Sequence, residues 1–217
     1  MKNSEHKTGW LWAAFGAVSM VAAYFLVVRP KHLTWGAELD EVDADLPGDG
    51  LIPDGQNCAT HAVTIDASPA DVWPWIAQLG QDKAGFYSYT FLENLVGCDM
   101  HNADSVHLEW QNPQAGDLVR FHPKYPLVPL AEVEPGSHLV FGADLQRPNG
   151  TSWAIILRPA AGGKCRLIAR LRCRNQTGLG RLAQLFVAEP AHFIMERKMM
   201  LTIKALSERA SLVRAAA

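Results

Sequence analysis

Between Lys164 and Arg174 the chain alternates residue by residue: Lys164, Arg166, Arg170, Arg172 and Arg174 interleave with Cys165, Leu167, Ala169, Leu171 and Cys173. Successive side chains of a strand point to opposite faces, so this pattern predicts a strand with a basic, solvated face and a buried apolar face. On the buried face Cys165 and Cys173 act as small hydrophobes. A strand apolar on one side needs neighbours of the same kind and a second layer over them. The neighbours are read at Ala59–Asp66, 117–121, Leu127–Val133, His138–Phe141 and Ser152–Leu157. Turn signals separate the later ones at Pro113–Gly116, Pro135-Gly136, Pro148-Asn149-Gly150 and Gly162-Gly163.

The second layer comes from the end of the chain. A long helix is expected from about Leu179 to Ala210, broken near Pro190. At helical spacing Met195, Met199, Ile203 and Leu206 share one stripe, with His192 inside it and Glu196 at its edge. Two shorter helices lie earlier. Ser68 caps the first and Pro69 suits its opening position, with Val72, Trp73, Trp75, Ile76 and Leu79 on its apolar face and Gly80 at its end. The second starts near Thr90, where Thr90 and Glu93 have capping-box spacing, and stops at Gly97. The order predicts an α+β fold: a curved antiparallel sheet wrapped around the long C-terminal helix, with a cavity between them.

Several segments then carry a family likeness: Trp35-Gly36-Ala37, Leu46-Pro47-Gly48-Asp49 and Ala67-Ser68-Pro69-Ala70-Asp71-Val72-Trp73-Pro74-Trp75. More specific are the run Gly85 to Leu95 with His101-Asn102-Ala103-Asp104, and Glu189-Pro190-Ala191-His192-Phe193-Ile194-Met195-Glu196-Arg197-Lys198-Met199. Through them the chain, from about Leu33 to Ala205, resembles the SRPBCC superfamily (START-like, Bet v 1-like, polyketide cyclase/dehydrase-like), and its bacterial uncharacterised members above all. The resemblance implies a helix-grip fold with a deep apolar cavity. It does not imply one activity, because the superfamily includes lipid-transfer domains, metabolite binders, aromatic cyclases and oxygenase catalytic domains.

The start of the chain is different. Residues Gly9 to Val28 carry no formal charge, and at helical rise they extend about 30 Å, the hydrocarbon thickness of a bilayer. Trp10, Trp12 and Tyr24 stand towards the ends, where such rings favour the membrane interface. The run continues through Phe25-Leu26-Val27-Val28 into Arg29-Pro30, a poor context for signal cleavage. The expected organisation is an N-terminal tail and single transmembrane helix (1–32, span 9–28), an acidic Pro/Gly connector (33–57), the helix-grip domain (58–210) and a tail (211–217). The expected location is a membrane, single-pass, with orientation open. Lys2 and Lys7 before the span balance Arg29 and Lys31 after it. The connector, rich in Asp and Glu from Glu38 to Asp54, reads as a solvated segment.

Net charge −2 gives no reason to expect nucleic acid. Four cysteines without C-x-x-C spacing make neither a disulfide scaffold nor a structural zinc site. No nucleophile elbow, H-E-x-x-H or Walker motif is present. Glu189 and His192 have E-x-x-H spacing without a second such pair, and Cys98, Asp99, His101, Asp104 and His107 fit no metal pattern. No metal or cofactor is expected. His192 and Glu196, one helical turn apart, form either an acid/base pair or a structural one. Together with Tyr87 they are the catalytic candidates. The ligand-binding candidates are Trp73, Tyr87, Tyr89, Glu93, Asn94, His101, Trp153, His192, Met195 and Met199, with Ile155 and Leu167 adding to the cavity wall. The expected function is a membrane-anchored domain that binds a hydrophobic small molecule or lipid. The alternatives are a cyclase or dehydratase acting on a polyketide-like or other apolar substrate, and a non-catalytic interaction protein.

Overall fold

The structure, a computed structural model, describes residues 12, 15, 16, 18–147, 150–174 and 176–215. Six strands form one antiparallel sheet in the order β1-β6-β5-β4-β3-β2. They are β1 (Gln56–Ile65), β2 (Leu118–Val119), β3 (Val128–Glu134), β4 (His138–Ala143), β5 (Thr151–Ala160) and β6 (Lys164–Cys173). Joining β1 to β6 places the first and last strands side by side and leaves the long terminal helix to cross the concave face.

That helix begins as Gly178–Ala183, widens into a π-helical stretch at Gln184–Ala188, and continues as Glu189–Ala215. Pro190 has no N–H to donate, and its ring crowds the preceding turn, so the helix absorbs it by widening rather than by breaking. The expected break is thus a π-bulge, and the helix also takes up most of the expected C-terminal tail. The same device occurs at the start of the chain, where a π-helical stretch at Tyr24–Val28 precedes the helix Arg29–Leu33 with its Pro30. The two bulges pack side by side and run parallel. Arg29 Nε and Nη2 donate to the Glu189 carboxylate at 2.8 and 3.0 Å, and the Tyr24 hydroxyl donates to the Leu185 carbonyl at 3.1 Å.

The expected span at 9–28 lies partly outside the described residues, at 9–11, 13, 14 and 17. Among those described, no helix is long and apolar enough to cross a membrane. Phe15, Val18, Val21 and Leu26 are exposed.

The helix Pro69–Ala77 starts as expected: Ser68 and Asp71 cap it reciprocally, and Pro69 stands first. Thr90 does not cap. It is the first residue of Thr90–Leu95, behind Tyr89, and this frees Glu93 to turn inward.

The basic face of β6 is not solvated, and this corrects the sequence expectation. The acidic segment folds over it as a strap. Glu41 receives Arg166 at 2.6 and 2.7 Å, Asp49 receives Arg170 at 3.0 Å, and Asp54 receives Arg174 at 2.9 Å. Arg170 is 1% exposed and also donates to the carbonyls of Glu41, Val42 and Ala44. Leu46 completes the cover over Ala62, Val140, Ala154, Ile156 and Ile168. Residues 38–54 are therefore part of the folded domain.

Cys58 and Cys173 form a disulfide between β1 and β6, so Cys173 is not a free thiol. Their separation of 115 residues makes the closed loop worth about 4–5 kcal/mol in chain entropy. Reduction is expected to lower the melting temperature by roughly 10 °C, read by thermal denaturation with and without dithiothreitol. Equal melting temperatures for samples shown by mass spectrometry to differ in oxidation would contradict this.

Candidate functional site

Inward-facing residues of β4, β5 and β6 and the first turns of Glu189–Ala215 enclose a cavity of about 450 Å³. Phe86, Phe121, Phe141 and Trp153 form a connected aromatic wall, with ring centroids 4.5 to 6.2 Å apart. Met100, Met195 and Met199 complete the apolar surface. Polar groups are few: Ser88, Glu93, Thr151, His192 and Glu196. An apolar enclosure with a small set of oriented polar groups is the usual form of a small-molecule site.

A second cavity of about 590 Å³ adjoins the first, sharing Thr151, Leu171 and His192 with it. Its wall includes Leu33, His61, Gly180, Ala183, Val187 and the Cys58–Cys173 bridge.

The loop that supplies Phe86 and Ser88 is latched by Asn102. Its side-chain oxygen accepts from the Tyr87 backbone N–H at 2.8 Å, and its amide donates to the Ser88 carbonyl at 2.9 Å. Gly85 has φ +71°, and a Cβ there would lie 2.4 Å from that same Asn102 oxygen. Only glycine fits both the backbone angle and the space. The latch holds Tyr87 at φ 56°, an unusual angle for a residue with a side chain. Phe86 and Ser88 turn to the cavity while the Tyr87 ring turns to Trp75.

Tyr87 is thus fully buried, away from the cavity wall, with its oxygen accepting from Gln78 at 2.6 Å. Burial pushes its hydroxyl up to about 12. Of the remaining candidates, Glu93, Trp153, His192, Met195 and Met199 line the cavity. Trp73 is half-buried against the core outside the cavity, Tyr89 faces Phe91 and Lys198, and the Asn94 side chain bonds to the backbone of Met100. His101 is exposed, and Ile155 and Leu167 lie in the solid core. The divide is geometric: the cavity opens where β5 and β6 carry Thr151, Trp153 and Leu171. Further along the same strands, the helix Pro69–Ala77 and the later turns of Glu189–Ala215 close down on the sheet.

Glu93 enters the wall with one carboxylate oxygen unpartnered, and burial pushes its carboxyl up. A raised carboxyl contributes stability that is full below the unfolded value and is lost as pH rises through the folded one. Glu93→Gln is therefore expected to melt higher than wild type at pH 7 and to lose that advantage near pH 4. Melting curves at the two pH values read it, and an advantage independent of pH would contradict it.

At the inner end of the cavity stands Glu196, at the centre of the helix–sheet contact rather than at the stripe's edge, and 3% exposed. One of its oxygens lies close against Nδ1 of the His61 ring, and the second accepts a short hydrogen bond from Trp153 Nε1. His61, on β1, directs its other nitrogen to the His32 carbonyl at 2.7 Å. His192 Nε2 lies 3.4 Å from the second Glu196 oxygen without forming a hydrogen bond. Burial opposes the charge on both groups. The pairing outweighs it, holding the Glu196 carboxyl well below the usual carboxylate range and the His192 imidazole above its ordinary value. His61 was not among the sequence candidates. Its signal is its place in an alternating strand, since it shares a face with Ala59, Val63 and Ile65 and is the polar residue among them.

No protein-family model matches the chain, and no curated protein matches it. Similar solved structures include one of a protein from Mesorhizobium loti: 15% identity, TM-score 0.40, covering 69% of this chain and 97% of that one. The di-domain ARO/CYC StfQ from the steffimycin biosynthetic pathway follows at 12% and 0.37, covering 73% of this chain and 52% of that one. A member of the major latex protein family from Arabidopsis thaliana matches at 20% and 0.30, covering 65% of this chain and 92% of that one. These likenesses are distant and no activity is carried over from them. By its own topology, an antiparallel sheet gripping a long C-terminal helix over an internal cavity, the chain has a helix-grip fold.

Proposed function

We propose that this protein is a membrane-anchored receptacle for a hydrophobic small molecule or lipid. The observation that carries the reading is the cavity of about 450 Å³, walled by aromatic and methionine side chains with its polar groups gathered at few points. Apolar area taken from water at about 25 cal/mol per Å² supplies the driving force, and Ser88, Glu93 and His192 set orientation.

Support for anchoring comes from two elements rather than one. The N-terminal helix exposes Phe15, Val18, Val21, Leu26 and Val27, and the parallel helix beside it exposes Leu179, Leu182, Phe186 and Val187. Arg181, half-buried and bonded to Gln184, is the charged residue within the second of these helical stretches, and the second cavity opens on this side through Gly180, Ala183 and Val187. A lipid surface is the environment in which such a patch is stable. The Cys58–Cys173 bridge is of a kind that persists in oxidising compartments, which supports a non-cytoplasmic side for the folded domain.

Ala143 and Thr151 face each other across β4 and β5 at the cavity wall. Ala143→Trp is expected to fill the space and to weaken binding of an apolar fluorescent probe at least about tenfold, while a volume-adding change at the surface has no such effect. Fluorescence titration reads the result. Equal affinity for wild type and Ala143→Trp, with both folded, would place the probe elsewhere and sink the reading.

Acid/base chemistry on the bound molecule has one observation in its favour, the presence of His192 and Glu196 on the cavity wall. Tyr87 has no part in it.

A further inference from the structure

The His61–Glu196–His192 cluster has more nitrogen and oxygen donors converging on one point than an ordinary buried ion pair needs. The three ligand-type atoms lie within 4.8 Å of one another, contributed by β1 and by two successive turns of the helix Glu189–Ala215.

Donor and acceptor roles decide what belongs there. The His32 carbonyl can only accept, so His61 Nε2 carries its hydrogen and donates at 2.7 Å. In the neutral ring Nδ1 then presents a lone pair, and it points at a carboxylate oxygen of Glu196 that also has only lone pairs. Something positive must lie between them. A proton would satisfy that pair, but it bridges two atoms. The third donor, His192 Nε2, would still be buried without a hydrogen-bond partner 3.4 Å from the other Glu196 oxygen. A metal ion satisfies all three at once. Ligands about 2.0–2.1 Å from a tetrahedral zinc are roughly 3.3 Å apart, so the His192–Glu196 spacing already suits a shared ion, while the closer His61–Glu196 contact has to open to that spacing.

The surroundings agree. The bond from His61 Nε2 to a backbone carbonyl is the outer contact that fixes a metal-binding imidazole in orientation and tautomer. Trp153 Nε1 holds the Glu196 carboxylate in the same way. Two imidazoles and one carboxylate are a donor set for zinc and for the other divalent first-row metals.

We propose that His61, His192 and Glu196 bind one divalent first-row metal ion. The three residues leave a coordination position towards the cavities, both of which His192 lines. That position takes an oxygen donor of the bound molecule, such as the carboxylate of an otherwise apolar chain. The second statement rests on the reading of the cavity as an apolar ligand site; the first does not.

The test uses the full-length protein in mild detergent, stripped with chelator and titrated with Co²⁺. One Co²⁺ per chain is expected, with a visible d–d band that Zn²⁺ abolishes by competition. Loss of an outer contact alone costs about 10–100-fold in metal affinity. His61→Ala and His192→Ala, each checked for folding by its melting curve, are therefore expected to lose on the order of 100-fold or more. His122→Ala, remote from the cluster with its ring bonded to the Val96 carbonyl, should bind as wild type does. Wild-type protein that takes up no stoichiometric Co²⁺ would overturn the metal site, as would folded His61 and His192 variants that bind like wild type. So would two ring N–H protons on His61 in the NMR spectrum, unchanged by metal, because they would assign the cluster to a proton-bridged pair. Decanoate is the probe for the open position and is expected to shift the cobalt band. A band that decanoate leaves unchanged overturns the open position alone, and the apolar probe titration with Ala143→Trp reports separately on the cavity.

Discussion

Met199→Asp is expected to leave no folded domain at all. Met199 is 2% exposed, packed where the terminal helix crosses the sheet, and it also forms part of the cavity wall. A carboxylate there would be packed among the apolar side chains of the core. An uncompensated buried charge costs several kcal/mol, comparable with the whole stability of a domain. Lys198→Asp one residue earlier is expected to be far milder. Lys198 is half-buried, and its ammonium lies 5.8 Å from the centre of the Tyr89 ring, a contact worth about 1 kcal/mol. Circular dichroism and thermal melting of the two variants side by side make the comparison. Similar losses for both would mean that the helix is turned differently on the sheet.

Arg170→Ala is the second large effect. Its guanidinium, itself withdrawn from water, joins the strap to the sheet through Asp49 and three backbone carbonyls. Burial pulls the guanidinium's pKa down, which measures how much its partners must supply to keep it charged. Removing the side chain takes from Asp49 its ion-pair partner, leaving it the Leu46 N–H alone, takes a donor from each carbonyl, and opens a void beneath residues 41–49. The expected loss is about 3–5 kcal/mol, measured by urea denaturation. Arg158→Ala, on the same face of the sheet but exposed, is expected to fall within about 0.5 kcal/mol of wild type. Equal midpoints for the two variants would contradict a structural role for the strap.

The strap also shows where the sequence stops being legible. Alternation along β6 separated its two faces and placed the apolar one in the core, and the stripe of Met195, Met199 and Ile203 gave the face of the terminal helix. Both are short-period patterns that a single element carries by itself. The acidic run at 38–54 and the basic face of β6 are each readable, but their union is not. The partners are more than a hundred residues apart, and charge alone looks the same whether it meets water or an opposite charge. Likewise, Cys58 and Cys173 become partners only once β1 is known to pair with β6.

The candidate site divides on the same principle. His192, Glu196, Met195 and Met199 were legible because one helix face presents them together. Tyr87 misled because it sits between two cavity residues in the Gly85–Leu95 run. The Asn102 latch, not the residue types, decides that Phe86 and Ser88 face the cavity while Tyr87 faces the core. His61 was missed because its partners are on another element, although its place on the apolar face of β1 could have drawn notice.

The most direct measurement of the central claim is native mass spectrometry of full-length protein purified from its native cells in mild detergent. The account predicts a bound apolar molecule or lipid at near one per chain, released on denaturation and missing from Ala143→Trp. Wild-type protein that carries no such molecule and also fails to take up apolar probes would contradict it, and would mean that the cavity serves no ligand.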